Sequence, residues 1–105
     1  MATGRGGSTL PGVDGTPVRL TAVLSGRVQG VGMRWWTRSR ALQLGLVGSA
    51  TNRGDGRVEV VAEGPLAAAE QLLQALRGPG APGRVSFVGE HWGPARGGLD
   101  GFEER

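Results

Sequence analysis

The sequence predicts a single α+β domain, a sandwich in which two helices cover one face of an antiparallel sheet. Three observations predict it. Short alternating runs of Val, Leu and Ala recur along the chain. Two longer stretches instead repeat their apolar residues at spacings of three and four. Glycine or proline punctuates the junctions between these segments. With 105 residues there is material for one modest core.

The elements follow in chain order. Residues 1–16 are rich in Gly, Ser, Thr and Pro with no apolar stretch, so a flexible tail is expected there rather than a signal peptide. Residues 17–105 form the domain. From Val18 to Leu24, Val18, Leu20, Ala22 and Leu24 share one face, which predicts a strand. Met33 to Leu44 has Met33, Thr37, Ala41 and Leu44 in helical register with Trp36 alongside, and Gly45 closes the helix. Leu46 to Asn52 is a weaker strand. Asp55-Gly56 signals a turn into Val58 to Ala62, which makes a hairpin.

Gly64-Pro65 opens a second helix, with Pro65 expected at its first position. Its buried stripe is Leu66, Ala69, Leu73 and Leu76, and Arg77 complements the dipole of the last turn. Val85 to Trp92 is a strand whose apolar residues Val85, Phe87, Val88 and Trp92 share no single period of two, so a bulge is expected. A short segment around Phe102 ends the chain, and Glu103-Glu104 predicts a frayed edge. The order β-α-β-β-α-β is the split βαβ, or ferredoxin-like, arrangement.

Composition excludes several functions. No apolar run approaches the ~18 residues of a membrane span. Without cysteine there is no disulfide framework and no thiolate chemistry, and a cytoplasmic protein is expected. The pI of 11.3 arises because all 12 basic residues are Arg and Lys, Tyr and Cys are absent. A formal charge of +3 then moves the pI far up without defining a polyanion-binding stripe. An RNA-binding module of the same topology needs aromatics on its central strands, and VRLTAVL and VEVVA have none. Nucleic acid and membranes are therefore not expected partners.

Function must come from a site. Between the first strand and first helix stands Gly26-Arg27-Val28-Gln29-Gly30-Val31-Gly32-Met33-Arg34. Glycines allow consecutive N–H groups to turn toward an anion, the helix N-terminus adds positive potential, and Arg34 supplies a planar fork of donors. Asn52 is the only asparagine and precedes the hairpin turn, where it could also serve as a turn residue. His91 lacks an acidic partner at a recognisable spacing and is expected to face solvent. Trp35 and Trp36 are expected to pack on the core. No cluster has metal-ligand spacing.

The loop string closely resembles the signature of the acylphosphatase family. The resemblance extends through Asn52, Asp55-Gly56-Arg57-Val58 and Glu63-Gly64-Pro65. Such enzymes hydrolyse carboxyl-phosphate mixed anhydrides, so the resemblance implies a small-molecule acyl phosphate as substrate and no metal or other cofactor. By position, Arg34 would bind the phosphate and Asn52 would orient the attacking water. The backbone N–H groups of Gln29, Gly30, Val31, Gly32 and Met33 would complete the cradle, where inorganic phosphate or sulfate would compete. A monomer is expected. Met33 stands where the family commonly has Phe, and Gly48-Ser49-Ala50-Thr51 is less bulky than its usual strand. A module of a larger carbamoyl-phosphate-handling protein is disfavoured because the chain ends at Arg105. A catalytically silent anion-binding or regulatory domain is the other reading.

Overall fold

The computed structural model describes residues 12–105, in the order β1 (Val18–Arg27), α1 (Met33–Gln43), β2 (Val47–Asn52), β3 (Val58–Gly64), α2 (Leu66–Arg77), β4 (Arg84–Pro94) and β5 (Phe102–Glu104). The sheet order is β4-β1-β3-β2-β5. β1 lies between β3 and β4, and β3 between β1 and β2, all antiparallel. Of the expected tail 1–16, the first eleven residues lie outside the described residues. Gly12 to Thr16 form a turn, with Gly15 N–H donating to Gly12 O at 3.1 Å.

The ferredoxin-like sandwich is present, with one correction. The sheet is mixed rather than wholly antiparallel, because β5 joins β2 in parallel. Nor is this edge frayed. Gly48 N–H donates to Gly101 O at 2.9 Å and Arg105 N–H to Ala50 O at 2.7 Å. Arg38 Nε on α1 reaches Phe102 O at 3.0 Å. Backbone pairing and one guanidinium hold a segment whose side-chain pattern gives no strand signal, and Phe102 is buried in the core.

The core lies between the sheet and the two helices. Val18, Leu20, Ala22 and Leu24 of β1 and Val58, Val60 and Ala62 of β3 all face it. From the helices come Met33 and Ala41 of α1 and Ala69, Leu72, Leu73 and Leu76 of α2. Leu72 joins the expected stripe of α2, and Leu66 lies at its margin. Pro65 stands one residue before the helix, extended at φ −60°, ψ 143°, rather than at its first position. The expected bulge in β4 occurs where the register with β1 shifts between Ser25 and Gly26. Ser86 is the extra residue, which turns both Val85 and Val88 inward and leaves Phe87 exposed. A Cβ at Gly26 would lie 2.3 Å from Arg84 O, so only glycine permits this approach.

One buried polar network secures the β4–β5 connection. Glu63 on β3 accepts from Arg19 Nε at 2.6 Å, Arg96 N–H at 3.0 Å and Gly97 N–H at 3.1 Å. Burial alone would favour its neutral form. The bonds from Arg96 N–H, the Arg19 guanidinium and Gly97 N–H outweigh it and hold the carboxyl below its ordinary pKa.

Candidate active site

The chain leaves β1 through the glycine loop and enters α1 at Met33. Gly30 and Gly32 have φ of 73° and 83°, a left-handed conformation that favours glycine. Met33 is buried and anchors the loop in the core, as does Val28. Gly32 caps α1 without a side-chain hydrogen bond, and no acidic residue occupies the first turn. The positive end of the helix is thus left uncompensated by its own first turn. Among the described residues, the N–H groups of Gln29 to Met33 have no protein acceptor.

The β2–β3 hairpin supplies the opposite wall. Side chains alternate along a strand, so Asn52 shares the helix-facing side of β2 with the buried Ala50. It is the last residue of that strand and pairs with Val58. Its backbone is not left-handed, since no residue other than glycine has positive φ among the described residues. The turn is closed by other groups: Asp55 Oδ1 accepts from Arg57 N–H at 3.0 Å, and Arg53 N–H donates to Arg57 O at 2.8 Å. The Arg57 guanidinium and N–H lower the Asp55 pKa to about 2.

Gly30, Gly32, Met33, Arg34 and Asn52 line one cavity of about 100 Å³. This is well below the ~300–1,000 Å³ of sites for drug-sized ligands, and suits a small group. Arg34 is half-buried and, among the described residues, makes no ion pair or hydrogen bond with protein. The Asn52 amide is likewise unengaged. Val28 of the 26–34 loop also lines the cavity, as do Trp35 and Glu104, which sequence reasoning did not assign to it.

Gln29 and Val31 are not on its wall. Val31 packs against the core. The Gln29 side chain crosses to the hairpin, where Nε2 donates to Arg53 O at 2.8 Å and Arg57 O at 3.0 Å. The loop that precedes Arg34 is thereby tied to the hairpin that carries Asn52. Contacts spanning 24 and 28 residues leave no local pattern from which to foresee this.

His91 and Trp36 lie away from this cavity. His91 is exposed on β4, paired in register with Thr21 and away from the cavity. Trp36 packs against the core, with the Arg40 guanidinium 5.3 Å from its ring centre. Trp35 departs from expectation: it is 61% exposed, because it follows Arg34 on the cavity rim. Among the described residues, no group of three or more His, Cys, Asp or Glu could hold a metal ion. No described helix is long and apolar enough to cross a membrane.

Comparison with known proteins bears on the same residues. The acylphosphatase family model matches residues 20–104, which include the loop, Arg34 and Asn52. The chain is 62% identical over 92 residues to an acylphosphatase of Saccharopolyspora erythraea, covering 88% of this chain and 97% of that one. To an acylphosphatase of Nocardia farcinica it is 64% identical over 91 residues, or 87% and 91% of the two chains. Its fold superposes on the crystal structure of acylphosphatase from Bacillus subtilis with a TM-score of 0.76 at 31% identity, covering 84% of this chain and 98% of the other. A glycine loop at an uncapped helix end, facing a hairpin asparagine, therefore belongs here to a recognisable lineage: the chain is a member of the acylphosphatase family.

Proposed function

We propose that this protein hydrolyses acyl phosphates to a carboxylate and inorganic phosphate at the cavity between the α1 N-terminus and the end of β2. Arg34 and the N–H groups of residues 29–33 hold the phosphate, and Asn52 orients the water. The observation that carries this reading is that Arg34 and Asn52 line one small cavity and, among the described residues, neither side chain has a protein partner. The family membership supports the same reaction.

The chemistry suits these residue types. The water oxygen forms a bond to phosphorus as the bond from phosphorus to the acyl oxygen breaks. The carboxylate departs with the bonding pair, and the water's protons pass to the phosphate product and solvent. A carboxylic acid has a pKa near ~4, so the leaving group needs no proton donor. Phosphoryl transfer then depends on position and on stabilising charge at the equatorial oxygens, which a guanidinium fork and backbone donors supply. An amide offers one acceptor and two donors for water without carrying charge. No step requires a metal, and phosphate or sulfate competes for the cradle. The reading also takes the protein as a cytoplasmic monomer, on its sequence alone.

Release of phosphate from benzoyl phosphate in EDTA, beside a phosphomonoester control, tests the reaction. Turnover of the acyl phosphate alone is expected, with competitive inhibition by inorganic phosphate. Anion binding without turnover would instead establish a silent domain, and full dependence on an added divalent metal would overturn the chemistry.

A further inference from the structure

The cavity contains a charge that phosphate binding does not use. Glu104 lines it together with Arg34, Trp35 and Asn52. In β5, Phe102 faces the core, and Glu104, two residues on, shares that side of the sheet. Its backbone is fixed by register with Ala50, by Arg105 N–H to Ala50 O at 2.7 Å, and by Arg38 Nε to Phe102 O at 3.0 Å. The neighbouring Glu103 lies on the opposite side and pairs with Arg105 at 2.8 Å. Glu104 has no ion pair or hydrogen bond of its own among the described residues.

An unpaired carboxylate beside an anion cradle opposes the binding of any anion. Its effect is greatest on a substrate that brings a second negative charge near the rim. Trp35, 61% exposed on the same rim, offers an apolar surface to an uncharged acyl group. We propose that Glu104 is a specificity-determining residue that disfavours acyl phosphates bearing a further negative charge on the acyl group, so that the site selects uncharged acyl groups. This rests on the reading of the cavity as the phosphate site.

The test compares kcat/KM for benzoyl phosphate with that for 3- and 4-carboxybenzoyl phosphate, in wild type, Glu104→Gln and Glu103→Gln. Wild type is expected to prefer benzoyl phosphate. Glu104→Gln should narrow that preference by about 3–10-fold at low ionic strength, as removal of one solvent-exposed charge repulsion at short range allows. The narrowing should shrink as salt is raised. Glu103→Gln removes the same charge from the other side of the strand and should leave the ratio within about twofold, as expected of a more distant, screened charge. An unchanged ratio in Glu104→Gln, or an equal change in Glu103→Gln, overturns the inference while hydrolysis of benzoyl phosphate preserves the reading beneath it. No hydrolysis of benzoyl phosphate by wild type overturns both.

Discussion

Replacing Asn52 by alanine separates a water-orienting residue from a turn residue. Among the described residues the Asn52 amide makes no hydrogen bond, and the turn beyond it is closed by Asp55, Arg53 and Arg57. Its removal from the half-buried end of β2 therefore costs stability little, within about 0.5 kcal/mol for a site without structural partners. For a domain of this size that is a change in Tm of about 2–4 °C. Losing a preorganised group that acts only in the transition state costs on the order of 3–4 kcal/mol, so kcat should fall ~100–1,000-fold. KM and the inhibition constant of phosphate should move by no more than about twofold, since the lost interaction acts on water and not on the anion. Asn52→Asp should also fail, because it sets a negative charge beside an anionic substrate and removes the amide donor. The assay is steady-state phosphate release on the preparations used for melting curves. An Asn52→Ala enzyme that is markedly destabilised yet turns over normally would refute the reasoning and assign the residue to the turn.

Other consequences are equally open to measurement. Gln29→Ala removes two bonds to the hairpin, worth about 1–2 kcal/mol together. Its kcat on benzoyl phosphate should fall even at temperatures where circular dichroism shows the variant fully folded, because Asn52 is less firmly held against the loop. Glu63 has a folded-state pKa below its unfolded value, so its stabilisation is present at neutral pH and lost as pH falls below about 4.3 and through the folded value. Glu63→Gln should lower Tm at neutral pH and flatten the acid side of the Tm–pH curve; an unaltered acid slope would contradict this. Among the described residues Thr37 Oγ1 is buried without a hydrogen-bond partner, so Thr37→Val should match or exceed wild-type stability by up to about 1 kcal/mol in a urea melt.

How much of this was legible in the sequence depends on the range of the interaction. β1, α1 and the hairpin could be read because each writes its periodicity into adjacent residues, and Met33, Thr37 and Ala41 are buried as their spacing predicts. The bulge in β4 was visible because Val85, Phe87, Val88 and Trp92 share no single period of two, though its place at Ser86 was not. Of the candidate site, Gly30, Gly32, Met33, Arg34 and Asn52 are expected from the loop string and its hairpin partner, and the structure brings them to one cavity. Contributions from distant segments were not legible. β5 is held by backbone pairing with β2 and by Arg38, which confer no alternation on Phe102-Glu103-Glu104. Glu104 enters the cavity only because that pairing exists. The helix orientation turns Trp35 outward where its neighbours suggest the core, and the Gln29 side chain bridges to the hairpin while its backbone N–H, among the described residues, stays free for the cradle.

The central claim is that phosphate is held at the α1 N-terminus by Arg34. Its most direct test is the turnover of benzoyl phosphate by Arg34→Ala and Arg34→Lys, with phosphate binding followed by calorimetry on the same samples. Arg34 makes no ion pair or hydrogen bond to protein among the described residues, so both variants should fold and melt near wild type. Arg34→Ala should lose ~100–1,000-fold in kcat/KM, the scale of removing one charge-stabilising contact in the transition state. It should also lose detectable phosphate binding. Arg34→Lys should recover little, because a point charge does not reproduce the planar fork. Phosphate binding and turnover within a few-fold of wild type in a folded Arg34→Ala protein would contradict the account and move the site elsewhere.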